Sequence, residues 1–147
     1  MARIGHSQLG NVLPQFSPDG HWIAYQSNTS GRFEVYLTDF PEGRRNRQIS
    51  VAGGAQPRGS ADGKELFHMG PDSSIWSAGT LAALSAGSEK PVKLFGFPIP
   101  VASSYFQYDV ARDGQRFLVV NGQPEAGSQE IRVIFNWPQL VREAKHN

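Results

Sequence analysis

The sequence predicts an all-β fold, namely a β-propeller-like array of about three four-stranded antiparallel blades with a short C-terminal helix. The first observation is the stretch 16–25, where Pro18, Asp19 and Gly20 form a turn signal directly before a run of strand formers. The second is that Asp-Gly pairs recur at positions 19, 62 and 113, with spacings of 43 and 51 residues. A period of roughly 40–50 residues with one strand–turn–strand signal per copy is typical of a propeller or a β-repeat array.

The first repeat contains four segments that predict strands. They are rich in strand-forming residues and are bounded by clusters of turn residues. In the third segment, Phe33, Val35 and Leu37 fall on one face, and the intervening residues fall on the other. The predicted strands are 12–16, 21–27, 33–38 and 47–51, which together make one propeller blade. Residues 1–11 form either a short edge strand or an unstructured lead-in.

The second and third repeats are less regular than the first. In the second, the predicted strands are 56–59, 65–69, 75–78 and 91–95, with a helical turn or loose loop over 80–87. The third has predicted strands at 105–110, 115–121 and 130–135, and no fourth strand. Asn136 can then cap a helix over 137–145 that accepts Pro138 in its first turn. We therefore expect a single partial propeller domain over 1–147, with blade-like repeats at about 12–51, 53–96 and 104–136.

Alternating apolar positions on these strands predict the core, because stacked sheets have neighbours on both faces. The predicted core residues are Trp22, Ile23, Tyr25, Phe33, Val35, Phe67, Trp76, Phe117, Val119, Ile131, Val133 and Trp137.

Composition excludes several classes of function. There is no cysteine, so disulfides, thiolate chemistry and cysteine-based zinc sites are excluded. The balance of 14 basic and 13 acidic residues does not favour nucleic acid, and the basic cluster 44–47 is interpreted as a solvated hairpin tip. No apolar run approaches the ~20 residues of a membrane span, so no membrane insertion is expected. The compartment, cytoplasmic or extracytoplasmic, is left open.

Candidate catalytic and metal-binding patterns are weak. The hydrolase elbow Gly-x-Ser-x-Gly is absent, and the segment 59–63 is better explained as a degenerate repeat turn. Asp19, Asp62 and Asp113 could form a ring of carboxylates around a cation, but Asp before Gly ordinarily binds turn amides. The histidines His6, His21, His68 and His146 lack metal-ligand spacing. We predict no enzyme activity, no catalytic residue, no metal and no cofactor; the binding residues are left unassigned.

The repeat resembles the TolB-like (WD40-like) β-propeller repeat. The first copy carries the motif Phe-Ser-Pro-Asp-Gly at 16–20, Ile-Ala-Tyr at 23–25, and the residues Ser27, Gly31, Val35, Tyr36 and Asp39. The second copy keeps Ser60, Asp62-Gly63 and Leu66-Phe67, but has Gly59 where the repeat has a large aromatic residue. The third copy keeps Asp113-Gly114 and the strand 117–119.

A narrower resemblance concerns bacterial proteins in which a serine/threonine kinase domain precedes such a propeller. It includes the segments 15–40, 53–58, 64–67 and 131–137, within a likeness over residues 12–140. No kinase motif lies in the chain. The resemblance therefore implies a non-catalytic sensor or interaction module, or a scaffold for assembly, with a protein or a small ligand as its partner. The alternatives are the propeller fragment of a serine peptidase or hydrolase, and a purely structural segment.

Three repeats predict an open array. Propellers of this type need at least ~4 blades to close, and an open array leaves its terminal sheet faces uncovered. We expect the chain to be a fragment of a larger propeller or, as the alternative, half of a symmetric assembly of two chains.

Overall fold

The computed structural model describes residues 10–79, 81–87, 90–96, 105–121 and 130–135, and within them the chain forms three antiparallel sheets. Blade 1 has the strand order β1-β2-β3-β4, blade 2 the order β5-β6-β7-β8, and blade 3 the order β9-β10-β11. A short helix, α1, lies between β7 and β8. The elements are β1 Asn11–Phe16, β2 Trp22–Ser27, β3 Glu34–Asp39, β4 Asn46–Gln48, β5 Ala55–Gly59, β6 Leu66–Met69, β7 Ser74–Gly79, α1 Leu81–Ala86, β8 Val92–Gly96, β9 Tyr108–Val110, β10 Arg116–Asn121 and β11 Glu130–Phe135.

The turn between the first and second strands has the same backbone hydrogen bond in all three blades, from the N–H of Gly20, Gly63 or Gly114 to the carbonyl three residues earlier. Blades 1 and 2 add a serine hydroxyl, where blade 3 has Ala111. In blade 1 the Ser17 hydroxyl donates to Asp19 Oδ1 and accepts the backbone N–H of Trp22 at 3.0 Å. Gly20 follows with φ 73°, a left-handed conformation that glycine adopts without steric cost. Ser60 and Asp62 repeat this arrangement in blade 2. The Asp-Gly signal in the sequence therefore specifies a hydrogen-bonded turn.

The first strands of blades 1 and 2 carry a bulge at the same repeat position. The register shifts between Val12 and Gln15 in β1, and between Ala55 and Arg58 in β5. The residues inside the two bulges, Leu13 and Gln56, have positive φ values of 53° and 55°. A bulge disrupts the ladder and leaves backbone groups that need other partners.

Two apolar clusters hold the blades together. The cluster between blades 1 and 2 contains Ala24, Val35, Leu37, Ile49, Leu66, Ala78 and Leu84. The cluster between blades 2 and 3 contains Phe67, Met69, Ile75, Leu94, Tyr108, Phe117 and Val119. In the second cluster the ring of Phe117 forms T-shaped contacts with Phe67 and Phe95, with ring centroids 5.0 Å and 5.2 Å apart. Burial of apolar area is the main stabilisation of the array, and these aromatic contacts add to it.

The predicted strands are found with shifted ends, and parts of the predicted core need correction. β4 and β9 are only three residues long, shorter than the predicted 47–51 and 105–110. Trp22, Phe33 and Trp76 are half-buried, whereas the six other described members of the predicted core are buried. Trp22 packs against the edge of an apolar cluster, and Trp76 stacks on His68, so each ring is covered only in part. The side chains of Ile131 and Val133, Trp137, the helix 137–145 and residues 1–9 lie outside the described residues.

Candidate functional site

A groove of about 730 Å³ opens between blades 1 and 2, and we call it the inter-blade groove. Three segments line it: the linker after β4, the β6–β7 hairpin, and the segment from α1 to the start of β8. The lining residues are 47–53, His68, Pro71, Asp72, Trp76, Leu84, Gly87, Lys90 and Pro91. The volume falls in the range of about 300–1,000 Å³ that is usual for small-molecule sites.

The linker wall of the inter-blade groove is fixed by a buried carboxylate. Glu34 on β3 accepts hydrogen bonds from Arg32 Nε at 2.7 Å and from the backbone N–H of Gly53 at 2.9 Å, and also from the Ser50 hydroxyl. Ser50 Oγ in turn accepts the N–H of Val35 at 2.8 Å. A buried charge is tolerated only when its oxygens are paired in this way. The linker is therefore held firmly against β3.

The α1 wall is tied to blade 1 by Arg47. One nitrogen of its guanidinium donates to the backbone carbonyl of Leu84, in the last turn of α1. Gly87 ends this helix with φ 80°, and its N–H bonds the carbonyls of Ala83 and Leu84 at 2.9 and 3.1 Å. Two separate blades thus fix the width of the inter-blade groove.

His68 and Trp76 form the inner wall, and they face each other across β6 and β7. Their rings are stacked with 8° between planes and centroids 6.3 Å apart. Burial lowers the pKa of His68 to about 4, although the charge of Glu34 opposes this shift, so the ring is neutral near pH 7. Its Nδ1 lies 3.4 Å from the carbonyl oxygen of Met69. Its Nε2 is buried and has no hydrogen-bond partner among the described residues.

The charged side chains that line the inter-blade groove differ in whether they already have a partner of opposite charge. Asp72 is paired with Lys93 at 2.5 Å and accepts a hydrogen bond from the Ser74 hydroxyl. These two contacts hold the pKa of Asp72 below its usual value. Arg47 and Lys90 have no acidic partner in the described part of the chain.

A second polar region lies along the first strands of the blades. Arg58 on β5 places its guanidinium 3.7 Å from the ring centroid of Phe106 and 3.6 Å from the carboxylate of Asp109. Gln15 on β1 accepts the N–H of Gly59 at 3.0 Å. These contacts join neighbouring blades, although Arg58 Nε is buried without a hydrogen-bond partner among the described residues.

The residues that the sequence singled out serve the turns. The carboxylates of Asp19, Asp62 and Asp113 each accept a backbone N–H two residues ahead, at 3.0–3.1 Å, so the turn interpretation is confirmed. The Ser60 hydroxyl, from the pattern that resembles a hydrolase elbow, is buried and donates to Asp62. Across the described ranges, no group of three or more His, Asp or Glu residues lies where it could hold a metal ion. Of the histidines, His21 is exposed, His68 is buried, and His6 and His146 lie outside the described residues.

The basic cluster and the membrane expectation can also be compared with the structure. Residues 44–47 are exposed at the β3–β4 hairpin, although the Arg47 guanidinium reaches α1. Among the described helices, none combines the length and the apolar character needed to span a membrane.

The sequence placed His68 and Trp76 on neighbouring strands, but it gave no signal that their pairing would form the wall of a groove.

Comparison with solved structures places the chain among propeller proteins. It matches TolB from Acinetobacter baumannii with a TM-score of 0.64 at 18% identity, over 89% of this chain and 31% of that one. It matches a putative TolB from Agrobacterium tumefaciens with a TM-score of 0.63 at 13% identity, over 90% and 48%. It also matches the β-propeller domain of the Trilobed protease from Pyrococcus furiosus with a TM-score of 0.55 at 16% identity, over 87% and 39%.

These likenesses confirm the predicted all-β propeller fold. At such identities they show the fold alone, and the chain spans less than half the length of each of these proteins. No protein-family model matches the chain, and no curated protein does.

Proposed function

We propose that this chain is a non-catalytic binding module of TolB-like propeller repeats, part of a larger protein, and that the inter-blade groove is its ligand site. The observation that carries the proposal is the groove itself, with a volume of about 730 Å³. Its walls combine apolar side chains with a few fixed polar groups, as ligand sites do. His68 adds a buried ring nitrogen without a partner among the described residues, which a ligand donor or a water can satisfy.

Two further observations support membership in a larger propeller. The chain spans 31% and 48% of the TolB structures that it matches. In addition, Leu118 and Val120 on β10 are each 43% exposed, on a face where the next blade of a propeller would pack. The resemblance to kinase–propeller proteins suggests that the module serves as a sensor or a scaffold within that protein.

The proposal is tested with N-phenyl-1-naphthylamine, a neutral apolar dye whose fluorescence rises in apolar sites. We expect saturable binding with one site per chain. Ala52 lines the groove and is exposed, so Ala52→Phe is expected to place a phenyl ring in part of the groove and block that binding. Ala61 is equally exposed but lies in the turn after β5, so Ala61→Phe is the matched control and keeps binding. Binding that is unsaturable, or equal in both variants, would show that the groove is not the site.

A second candidate is the propeller portion of a peptidase, with its catalytic domain elsewhere in the protein. The observation that favours it is the likeness to the propeller domain of the Trilobed protease. Both candidates predict no turnover by this chain alone. Generic ester and peptide substrates should therefore stay intact when incubated with the purified chain. Steady hydrolysis that a single substitution abolishes would contradict both.

A further inference from the structure

The inter-blade groove is asymmetric in charge. Its described lining residues include two cations, Arg47 from the β4 end and Lys90 from the segment before β8. Neither forms an ion pair with a described residue. The one acidic residue among the described lining, Asp72, is already paired with Lys93 at 2.5 Å. Among the described lining residues, the charge that is left available for a ligand is therefore positive.

Arg47 is also preorganised. Its guanidinium is fixed by the carbonyl of Leu84, and it lies so close to Gly87 that a Cβ there would be 2.7 Å from Cζ. Glycine at 87 therefore leaves room for the guanidinium as well as ending α1. A guanidinium held in place, with a single hydrogen bond to a described residue, is suited to an anionic group with planar oxygens.

The remainder of the groove is suited to an apolar body. Ile49, Leu84 and Pro91 line it together with the half-buried ring of Trp76. Val51 at its rim is 73% exposed, the largest exposure among the large hydrophobic residues that the structure describes. An apolar side chain exposed beside a groove is typical of a binding surface.

We propose that the ligand of the inter-blade groove is an amphipathic organic anion. Its apolar body, preferably a flat ring system, packs against Trp76 and the rim at Val51. Its carboxylate, sulfonate or phosphate group pairs with Arg47 and Lys90. This inference rests on the proposed function, since it specifies the chemistry of the ligand at the same site.

The test compares two dyes that share an N-phenylnaphthylamine body. 1-Anilinonaphthalene-8-sulfonate carries a sulfonate, and N-phenyl-1-naphthylamine carries none. We expect the sulfonate dye to bind at least about tenfold more tightly, as two charge-assisted contacts imply. Lys90→Gln is expected to raise the dissociation constant of the sulfonate dye about threefold to tenfold, and to change that of the neutral dye by less than about twofold. Added salt should weaken the binding of the sulfonate dye and leave the binding of the neutral dye unchanged.

Two controls keep the result interpretable. Lys64→Gln removes an exposed lysine that is paired with Asp62 outside the groove, so it should change neither dye. Arg47→Gln should weaken binding of the sulfonate dye more than Lys90→Gln does, and urea unfolding would show whether the loss of its bond to Leu84 also destabilises the fold. Lys90 forms no ion pair with a described residue, so Lys90→Gln is not expected to disturb the fold. Its effect on dye binding can therefore be interpreted whatever Arg47→Gln does to stability.

The outcomes separate this inference from the proposed function. If both dyes bind with equal affinity and Lys90→Gln has no effect, while Ala52→Phe still blocks binding, the groove is a ligand site but not for anions. If neither dye saturates, or Ala61→Phe acts like Ala52→Phe, the proposed function and the inference both fail.

Discussion

The side-chain amide of Gln56 donates a hydrogen bond to the side-chain oxygen of Gln107, 2.8 Å away, across the boundary between blades 2 and 3. The backbone N–H of Gln107 returns a bond to the Gln56 oxygen at 2.7 Å. Gln56 itself lies in the bulge of β5, and its freed N–H donates to the Gln26 side-chain oxygen in blade 1 at 2.7 Å. The bulge carbonyl accepts from the hydroxyl of Tyr108 at 2.8 Å. The bulge is therefore completed by side chains from both neighbouring blades.

Gln56→Met should destabilise the protein by about 2–6 kcal/mol, because it removes one hydrogen-bond partner from each of two buried groups of Gln107, at roughly 1–3 kcal/mol each. Methionine has nearly the same length and no branch at Cβ, so packing changes little. Urea unfolding measures the difference. Gln115→Met, at an exposed position, is the control and should change stability by less than ~0.5 kcal/mol. Equal stability of the two variants would contradict a structural role for the glutamine contacts.

Two glycines of blade 2 should respond to alanine in opposite ways. A Cβ at Gly54 would lie 2.7 Å from Ser50 Cβ and 3.3 Å from Val35 Cγ2, so Gly54→Ala should cost roughly 1–3 kcal/mol through overpacking. At Gly59 the nearest atom would be 3.9 Å away, so Gly59→Ala should stabilise β5 by about 0.5–1 kcal/mol. The melting temperatures of both variants measure this. A loss of stability in Gly59→Ala would contradict the assigned geometry.

His68 should make the protein acid-sensitive. Its folded pKa of about 4 lies below the usual 6.5, so between these pH values the unfolded chain binds a proton that the folded chain does not. The contribution of neutral His68 to the free energy of unfolding is therefore complete above pH 6.5, and the free energy of unfolding falls by up to roughly 3 kcal/mol as the pH drops to 4. Unfolding by urea at several pH values measures the slope. His68→Phe keeps a ring beside Trp76 and should remove much of this dependence, whereas His21→Phe, at an exposed position, should not.

Asp62 should titrate about two pH units below a free aspartate. The hydroxyl of Ser60 is the largest cause, followed by the backbone N–H of Lys64, and together they lower the pKa of Asp62 to about 2. Ser60→Ala should raise that pKa toward its usual value, because the carboxylate loses a donor. Carbon-13 NMR of the aspartate carboxyls would follow the titration. The carboxyl of Asp113, in blade 3, is the internal reference and should be unaffected.

Leu118 and Val120 should drive association of the isolated chain. Both lie exposed on one face of β10, and an apolar face left without a neighbouring blade favours pairing with another copy. Light scattering should give a mass above that of one chain, and the double substitution Leu118→Lys and Val120→Lys should return it to a monomer. A monodisperse, well-folded monomer of the unchanged chain would count against a missing blade.

The sequence predicted the strands well, and it predicted the groove poorly. Asp-Gly signals and alternation located every sheet, because turn chemistry and strand periodicity are local properties. Alternation also assigned Glu34 to the face of β3 opposite Val35 and Leu37, and its side chain is only 1% exposed. In stacked blades both faces of a sheet are covered, so a polar residue can be buried when distant residues satisfy it. Ser50 and Gly53 do so for Glu34, and no local pattern announces contacts that span 16 and 19 positions.

The groove depends on the same kind of distant contact. Arg47 lies in a basic cluster that local reasoning interprets as a solvated tip, and its partner carbonyl is 37 positions away. His68 and Trp76 were each assigned to strands, but their stacking depends on the register of β6 and β7.

The completed bulge of β5 also has a consequence for how the protein unfolds. Gln56 depends on Gln26 before it in the chain and on Tyr108 after it, so blade 2 is not a self-sufficient unit. Repeat arrays whose units depend strongly on their neighbours lose structure together. Amide hydrogens of β2, β5 and β9 should therefore share one free energy of opening, once each exchange rate is corrected for its intrinsic value. A chain shortened at its beginning by one blade would have lost the acceptor for a buried N–H, and would lose order in blade 2 as well.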